Sequence, residues 1–321
     1  MIINNIKSII EESLKLTPLE TVIRFNEPMK DHTTFKVGGP ADCWIQVKGN
    51  NLPSFCRDLL NRACLEGIPV FILGGGANIV VSDKGIRGIV LDMNSWKSCS
   101  AGDLSDILVF ESGTSIDNAV NTTAEKSLGG LEFFAGMPGT VGGAVWMNAR
   151  CYGSEISDFL YYTEIIYKDE KEKRFTQKRI YNKEGEGFGY KKSPFQKMDC
   201  LILKAAFKLI KSDKKQLLTD MDKCRNDRKE KGHYLFPCAG SAFKNNYDFG
   251  KPAGQVIDEC GLKGLKTGGA QVAPFHGNII INTGSASAYD IRCLVNEVTV
   301  RVKNTAGFNL EPEILFIGDW E

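Results

Sequence analysis

A chain of 321 residues is long for a single hydrophobic core, so two or three domains are expected. Its 40 Lys and Arg nearly balance its 39 Asp and Glu, leaving a formal net charge of +1 and no basic field to hold nucleic acid or an anionic membrane surface. The ten cysteines form no CxxC pair and only three histidines are present, which argues against a zinc or iron–sulfur centre and for free thiols in a reducing compartment.

The opening stretch MIINNIKSIIEESLKL reads as an amphipathic helix with Ile2, Ile6, Ile9 and Ile10 on one side. Lys7, Glu11 and Glu12 interrupt it too early for a signal-peptide core or a membrane span, so a cytoplasmic protein is expected. A second helix is predicted from Ser54 to Glu66, with Phe55, Leu59, Leu60 and Ala63 at helical spacing and Pro53 and Gly67 as boundaries. The β-rich run IPVFIL then leads into Gly74, Gly75 and Gly76. Beyond them NIVVSD alternates like a strand, DKGI turns, and RGIVLDM is another strand. No long helix follows the glycines, which rejects a dinucleotide fingerprint, and no Gly-Lys-Ser/Thr follows, which rejects a P-loop. What remains is a loop whose backbone N–H groups can surround phosphate oxygens.

A helix is predicted from Ser115 to Leu128, with Ile116, Ala119, Val120 and Ala124 inward and Gly129 as its stop. The next stretch, LEFFAGMPGTVGGAVWMNA, is again dense in glycine: Gly136, Gly139, Gly142 and Gly143 bracket Pro138 and Thr140. A helix starting at Thr140 or just after it would offer free N–H groups and positive dipole to an anion. Two phosphate-grade loops together suggest a diphosphate ligand. Tyr161 to Ile180 reads as an exposed hairpin whose charged turn, Asp169 to Lys173, keeps it soluble. CLILKAAFKLI is a nearly continuous apolar strand, followed near residue 211 by a candidate domain boundary. A polar helix carrying Leu217, Leu218, Met221 and Cys224 then runs to near Gly232. PAGQVIDEC is a further helix and GNIIIN a strand. A last helix starts at about Ser287, capped by Ser287 and Asp290, with Ile291, Leu294, Val295, Val298 and Val302 inward.

Eight blocks now stand in order: HTTFKVGGPAD, LGGGANIVVSD, GMPGTVGGAVWMNA, FGYKKSPFQ, PCAGSAFKN, AGQVIDECGLKG, GGAQVAPFHGNIIIN and LEPEILFIG. Through them the chain resembles the UDP-N-acetylenolpyruvoylglucosamine reductase family, the flavoenzymes commonly called MurB, and more closely its shorter, second type. The resemblance implies an α+β fold. Residues 1–210 would be a two-subdomain FAD-binding region of the vanillyl-alcohol-oxidase (PCMH) type, divided near residue 92. Residues 211–321 would be a C-terminal α+β substrate-binding domain whose last strand is free to return to the FAD region. It further implies non-covalent FAD, NADPH as co-substrate and a UDP-linked enolpyruvyl amino sugar, reduced to UDP-N-acetylmuramate for peptidoglycan. Neither a metal, a nucleic acid nor a membrane is expected as partner.

By the same resemblance FAD lies between the first two subdomains with its pyrophosphate on the glycine loops, so Thr34, Gly74, Gly75, Gly76, Ala77, Asn78, Met137, Pro138, Gly139, Thr140, Gly142 and Gly143 are cofactor-binding candidates. Ser241 is the implied proton donor, and Glu313 and Lys191 stabilise the enolate or position the acid; Glu311 and Lys192 are their respective competitors. Tyr152, Tyr190, Lys244, Asn245 and His276 are the implied substrate contacts. Four departures stand out. Lys191 replaces the family arginine, keeping the charge and losing the bidentate fork. Ala77 replaces a serine, at a cost of about 1 kcal/mol if one phosphate hydrogen bond is lost. Arg150 and Cys151 replace small residues, Arg150 either adding a phosphate contact or facing solvent. Asn246 stands where the family has proline.

Overall fold

The computed structural model describes residues 2–182 and 186–321; the side chain of Ile2, expected on the apolar side of the first helix, lies outside the described residues. The chain divides into two compact units. The first comprises Met1–Phe25, Cys43–Gly75 and Gly88–Arg225, and the second comprises Asn26–Asp42, Gly76–Arg87 and Asn226–Glu321. The chain therefore passes from one unit to the other inside the triple glycine.

In the first unit, α1 (Ile2–Leu16) and α2 (Leu52–Leu65) pack on Cys43, Ile45, Val47, Ile89 and Leu91 of a sheet in the order Glu20–Pro28, Pro40–Lys48, Ile86–Asp92, Val70–Leu73, whose residues 26–28, 40–42 and 86–87 are counted with the second unit. Ile6, Ile9 and Ile10 are buried as their spacing requires, and so are Phe55, Leu59, Leu60 and Ala63 of α2. Each large aliphatic or aromatic side chain so buried contributes roughly 1.5–3 kcal/mol. Pro53 sits within the first turn of α2 rather than before it, where a missing N–H costs nothing. A second sheet is antiparallel, in the order Arg174–Tyr181, Leu160–Asp169, Cys200–Lys208, Ile107–Glu111, Cys99–Ala101. The expected hairpin forms, with Asp169 paired to Arg174, but it is not exposed throughout: only Arg174–Tyr181 is the edge, while Leu160–Asp169 also pairs with Cys200–Lys208 and buries Tyr162, Ile165 and Ile166.

Against this sheet pack α3 (Ile116–Glu125) and α4 (Val141–Met147), with Ile116, Ala119, Val120, Val141 and Val145 in one cluster with Phe110 and Phe207. Ser115 caps α3 through the Asn118 N–H. The helix stops three residues short of Leu128, because Ser127 turns left-handed at φ 57° and Leu128–Gly129 pair as a strand with Ile210–Lys211. CLILKAAFKLI accordingly breaks at Leu209 into two strands with different partners. In α5 (Lys214–Glu230), Leu217, Met221 and Cys224 are buried while Leu218 is exposed, since it lies one residue off that i, i+4, i+7 row.

The second unit joins α6 (Ala253–Glu259) and α7 (Ala288–Ala306) to a sheet of Lys266–Thr267, Ala270–Val272 and Ile280–Asn282. All five residues predicted inward on α7 are fully buried. Its capping box is formed as expected, Ser287 and Asp290 each accepting the other's N–H at 3.0 Å. The Asp83 carboxylate adds two more acceptors, for the N–H groups of Ala288 and Tyr289 at 2.9 and 3.0 Å. In the same unit Leu315–Ile317 pairs parallel with Ile79–Val81.

Candidate active site

The two glycine loops meet in the first unit. A Cβ on Gly75 would lie 2.7 Å from Gly139 Cα, and one on Gly74 would lie 2.6 Å from the Thr140 hydroxyl. Backbone therefore faces backbone with no room for a side chain between. This is a close main-chain cradle that any Cβ would fill, and its residues fit a diphosphate cofactor. The donors differ from expectation in one respect. The first-turn N–H groups of α4 are already used: Val141 donates to Thr114 O, Gly142 to Ser112 O, and Gly143 to the Thr140 hydroxyl. Gly142 thus serves packing, since its Cβ would lie 2.8 Å from Ser112 Cβ. Beside it the buried Ser112 hydroxyl makes no hydrogen bond among the described residues, an orphaned donor at the cradle that the sequence reading missed.

The second loop is held from outside. Asp117 in the first turn of α3 accepts the Gly136 N–H at 2.9 Å, and Arg225 of α5 donates to both Asp117 and Asn121 at 2.9 and 2.8 Å. Burial raises the Asp117 pKa, but Arg225, the Gly136 N–H and Asn121 outweigh it and hold the carboxyl below its usual value. Its stabilisation is therefore fully present above about pH 4 and lost as pH falls through the folded-state pKa. Asp117→Asn keeps an acceptor for Gly136 and loses the ion pair. The unfolding midpoint should fall by about 1–3 °C at pH 7 relative to wild type, with the gap closing near pH 3. A gap unchanged between those two pH values, read by thermal unfolding, would assign the effect to something other than this charge.

Met137 is half-buried with its sulfur 3.6 Å from Cys151 Sγ, and Pro138 is exposed. Arg150, left open by the sequence, pairs with Glu155 at 3.3 Å and lies over the Tyr190 ring, 5.6 Å from its centroid. Tyr190 and Lys191 belong to a tight turn closed by reciprocal bonds between Gly189 and Lys192. That turn is fastened to the end of α4: Asn148 donates to Gly189 O, Ser193 and Gln196 donate to Trp146 O, and Gln196 also donates to Lys191 O. Lys191 is half-buried and left-handed at φ 56°, whereas Lys192 is exposed. Tyr152, with φ 48°, donates its hydroxyl to Cys224 O on α5 at 3.2 Å.

The second unit builds its own constellation. Thr34 donates its N–H and hydroxyl to Gly76 O at 3.1 and 3.4 Å, while Gly76 turns at φ 60° where a Cβ would meet His32 O at 2.1 Å. Ala77 is half-buried. Ser241 is half-buried and bridges to Ile279, directly after the left-handed Gly240. Asn278, buried and unnoticed in the sequence, holds the next two residues: its carbonyl accepts the Ala242 N–H, its Oδ1 the Phe243 N–H, and its Nδ2 donates to Phe243 O. The Glu313 N–H in turn donates to Ala242 O at 2.8 Å, so main-chain bonds bring the implied acid and proton donor onto neighbouring segments. Glu313 is buried at 8%, whereas its competitor Glu311 is 70% exposed and paired with Lys244 at 2.5 Å.

Among the implied substrate contacts, Asn245 is engaged locally, its Oδ1 accepting the Ala253 N–H at the start of α6. His276 lies 6.0 Å from His233, ring to ring, and its Nδ1 accepts the Asn278 N–H, which places the ring proton on Nε2. Burial, then Lys231, keeps His276 below the usual imidazole value, and burial with Arg228, His276 and Lys231 pushes His233 down to about 4. Both rings are neutral at pH 7.

No described helix is long and apolar enough to cross a membrane. Residues 55–176 match the family model of an FAD binding domain, and residues 231–317 that of the UDP-N-acetylenolpyruvoylglucosamine reductase C-terminal domain. The UDP-N-acetylenolpyruvoylglucosamine reductase of Treponema denticola is 40% identical over 331 aligned residues, spanning 99% of each chain. That of Borrelia garinii is 41% identical over 294, spanning 90% of this chain and 91% of the other. The crystal structure of the Thermus caldophilus reductase (MurB) superposes with a TM-score of 0.72 at 31% identity, covering 93% of this chain and 100% of that one. The α+β architecture is thus an FAD-binding region followed by this family's own C-terminal domain. With apposed glycine loops and identity sustained over the full length, the chain belongs to the UDP-N-acetylenolpyruvoylglucosamine reductase family.

Proposed function

We infer that the protein is an FAD-dependent reductase that uses NADPH to convert UDP-N-acetyl-3-O-(1-carboxyvinyl)glucosamine to UDP-N-acetylmuramate for peptidoglycan, and that it works in the cytoplasm. The observation that carries this reading is the backbone-to-backbone approach of Gly75 and Gly139, joined to a family likeness running the length of the chain. Held by the glycine loops around Gly75 and Gly139, FAD would supply the two-electron chemistry, between NADPH as hydride donor and the terminal carbon of the enolpyruvyl group as acceptor.

The remaining chemistry belongs to side chains. Addition at the terminal carbon leaves negative charge at the carbon bearing the carboxylate, so a proton must reach that carbon. Ser241 supplies it. Glu313 and Lys191 position the acid and stabilise the enolate, and the burial of Glu313 against the exposure of Glu311 supports that choice of carboxylate. The half-buried setting of Lys191 likewise supports it over Lys192. Tyr152, Tyr190, Lys244, Asn245 and His276 take the nucleotide sugar, with the His276 Nε2–H as a donor to an anionic or carbonyl oxygen. Residues 1–210 hold the cofactor and bring Tyr152, Tyr190 and Lys191 to the substrate, and residues 211–321 supply its other contacts.

Freshly purified protein should be yellow. NADPH should bleach the flavin band anaerobically, and the enolpyruvyl nucleotide should restore it. Persistence of the bleached state with that substrate present would refute the assignment.

A further inference from the structure

We propose that Asn78, counted from the sequence among the residues that hold FAD, is a positioning residue for Glu313. The proposal rests on the catalytic reading of Glu313 given above. Asn78 lies two residues beyond the triple glycine, yet its side-chain amide donates to the Glu313 carbonyl at 3.1 Å. Its own carbonyl accepts the Leu315 N–H at 3.0 Å. The three residues that follow, Ile79, Val80 and Val81, continue the contact as a parallel ladder with Leu315, Phe316 and Ile317.

The bond is more than an extra rung of that ladder. In a regular ladder the main chain alone would set the register, and residue 313 lies before its first pair, Ile79 with Leu315. The Asn78 side chain reaches back past that end and grips the main chain of the carboxylate-bearing residue itself. Glu313 is thereby held on both of its peptide groups, its N–H by Ala242 O at 2.8 Å and its carbonyl by Asn78. The first grip ties it to the segment carrying Ser241 and the second to the loop carrying the glycines. With both grips made, little backbone rotation is left at residue 313, and the direction in which its side chain leaves the main chain is set. Misplacement of a reacting group by about 1 Å can cost on the order of 10²-fold in rate. An amide donor at 78 therefore matters to the half of the reaction that uses Glu313, and not to the half that uses only NADPH and the cofactor.

The test uses the full-length holoenzyme with Asn78→Ala and Asn78→Asp, which lose the donor in different ways, and with Glu313→Gln and the Asn78→Ala/Glu313→Gln double variant. Anaerobic reduction by NADPH, reoxidation by the enolpyruvyl nucleotide, FAD dissociation from titrated apoprotein and the unfolding midpoint are read for each. Both Asn78 variants should reoxidise about 10- to 100-fold more slowly. Their reduction rate should stay within about twofold and their FAD affinity within about threefold of wild type. The double variant should be no slower than Glu313→Gln alone, because a residue acting through Glu313 has nothing left to position. Additive losses in the double variant would mean a general structural role and overturn the proposal. So would weakened FAD binding with a matching loss of reduction, which would make Asn78 a cofactor ligand, or reoxidation at the wild-type rate in Asn78→Ala while Glu313→Gln is slow. Wild-type reoxidation in Glu313→Gln would instead remove the catalytic reading on which the proposal stands.

Discussion

Replacing Ser241 by alanine should slow reoxidation of the reduced enzyme by the enolpyruvyl nucleotide by about 10²- to 10⁴-fold, the range a general acid supplies. Reduction by NADPH should change by no more than about twofold, since that half requires no proton at the substrate carbon. The structure makes the variant a clean one. Neighbouring residues, not the hydroxyl, hold this segment: Ala242 and Phe243 bond to Asn278, and Ala242 O accepts the Glu313 N–H. Removing one oxygen leaves those bonds in place. The unfolding midpoint should stay close to wild type, and stopped-flow traces of the two half-reactions should separate. Equal slowing of both halves, or a large fall in the midpoint, would make Ser241 a structural residue and leave the protonation without its donor.

The second large effect is expected at the cofactor. Gly75→Val should purify with little flavin, because the Cβ alone would fall 2.7 Å from Gly139 Cα and 3.2 Å from Gly139 C. Backbone on both sides leaves nothing flexible to move aside, so the loops must part. Overpacking of this kind costs about 1–3 kcal/mol, or roughly 5- to 150-fold in FAD affinity if the strain falls on the bound state. The flavin-to-protein ratio and titration of apoprotein measure it. Gly189→Ala is the matched control in the same unit, since a Cβ there meets nothing within 4 Å. Full flavin content in Gly75→Val would show that the close approach of the loops is not what binds the diphosphate.

The sequence carried most of the local architecture because its causes are local. The spacing of Ile291, Leu294, Val295, Val298 and Val302 and the Ser287 and Asp290 cap specify α7 within a single stretch, and the structure forms both. The same holds for α2, for the charged hairpin and for a helix beginning just after Thr140. The end of α3 was misjudged because Leu128 and Gly129 find partners at Ile210 and Lys211, far along the chain. Free N–H groups at the start of α4 were expected from helix geometry alone, yet carbonyls of Ser112 and Thr114 take two of them. Nothing between Thr140 and Met147 announces that capture.

By itself, then, the amino-acid order determined that two glycine-rich turns exist, that neither is a P-loop or a dinucleotide fingerprint, and which flavoenzyme family their flanking motifs resemble. Those are properties of neighbouring residues, and steric and turn preferences act over a few bonds. Which amides of α4 are taken by neighbouring segments, which carboxylate is buried, and that Asn78 reaches Glu313 across 235 positions were decided only by the tertiary structure. Hydrogen bonds between distant segments depend on how the segments pack, and no local pattern encodes a partner that far away.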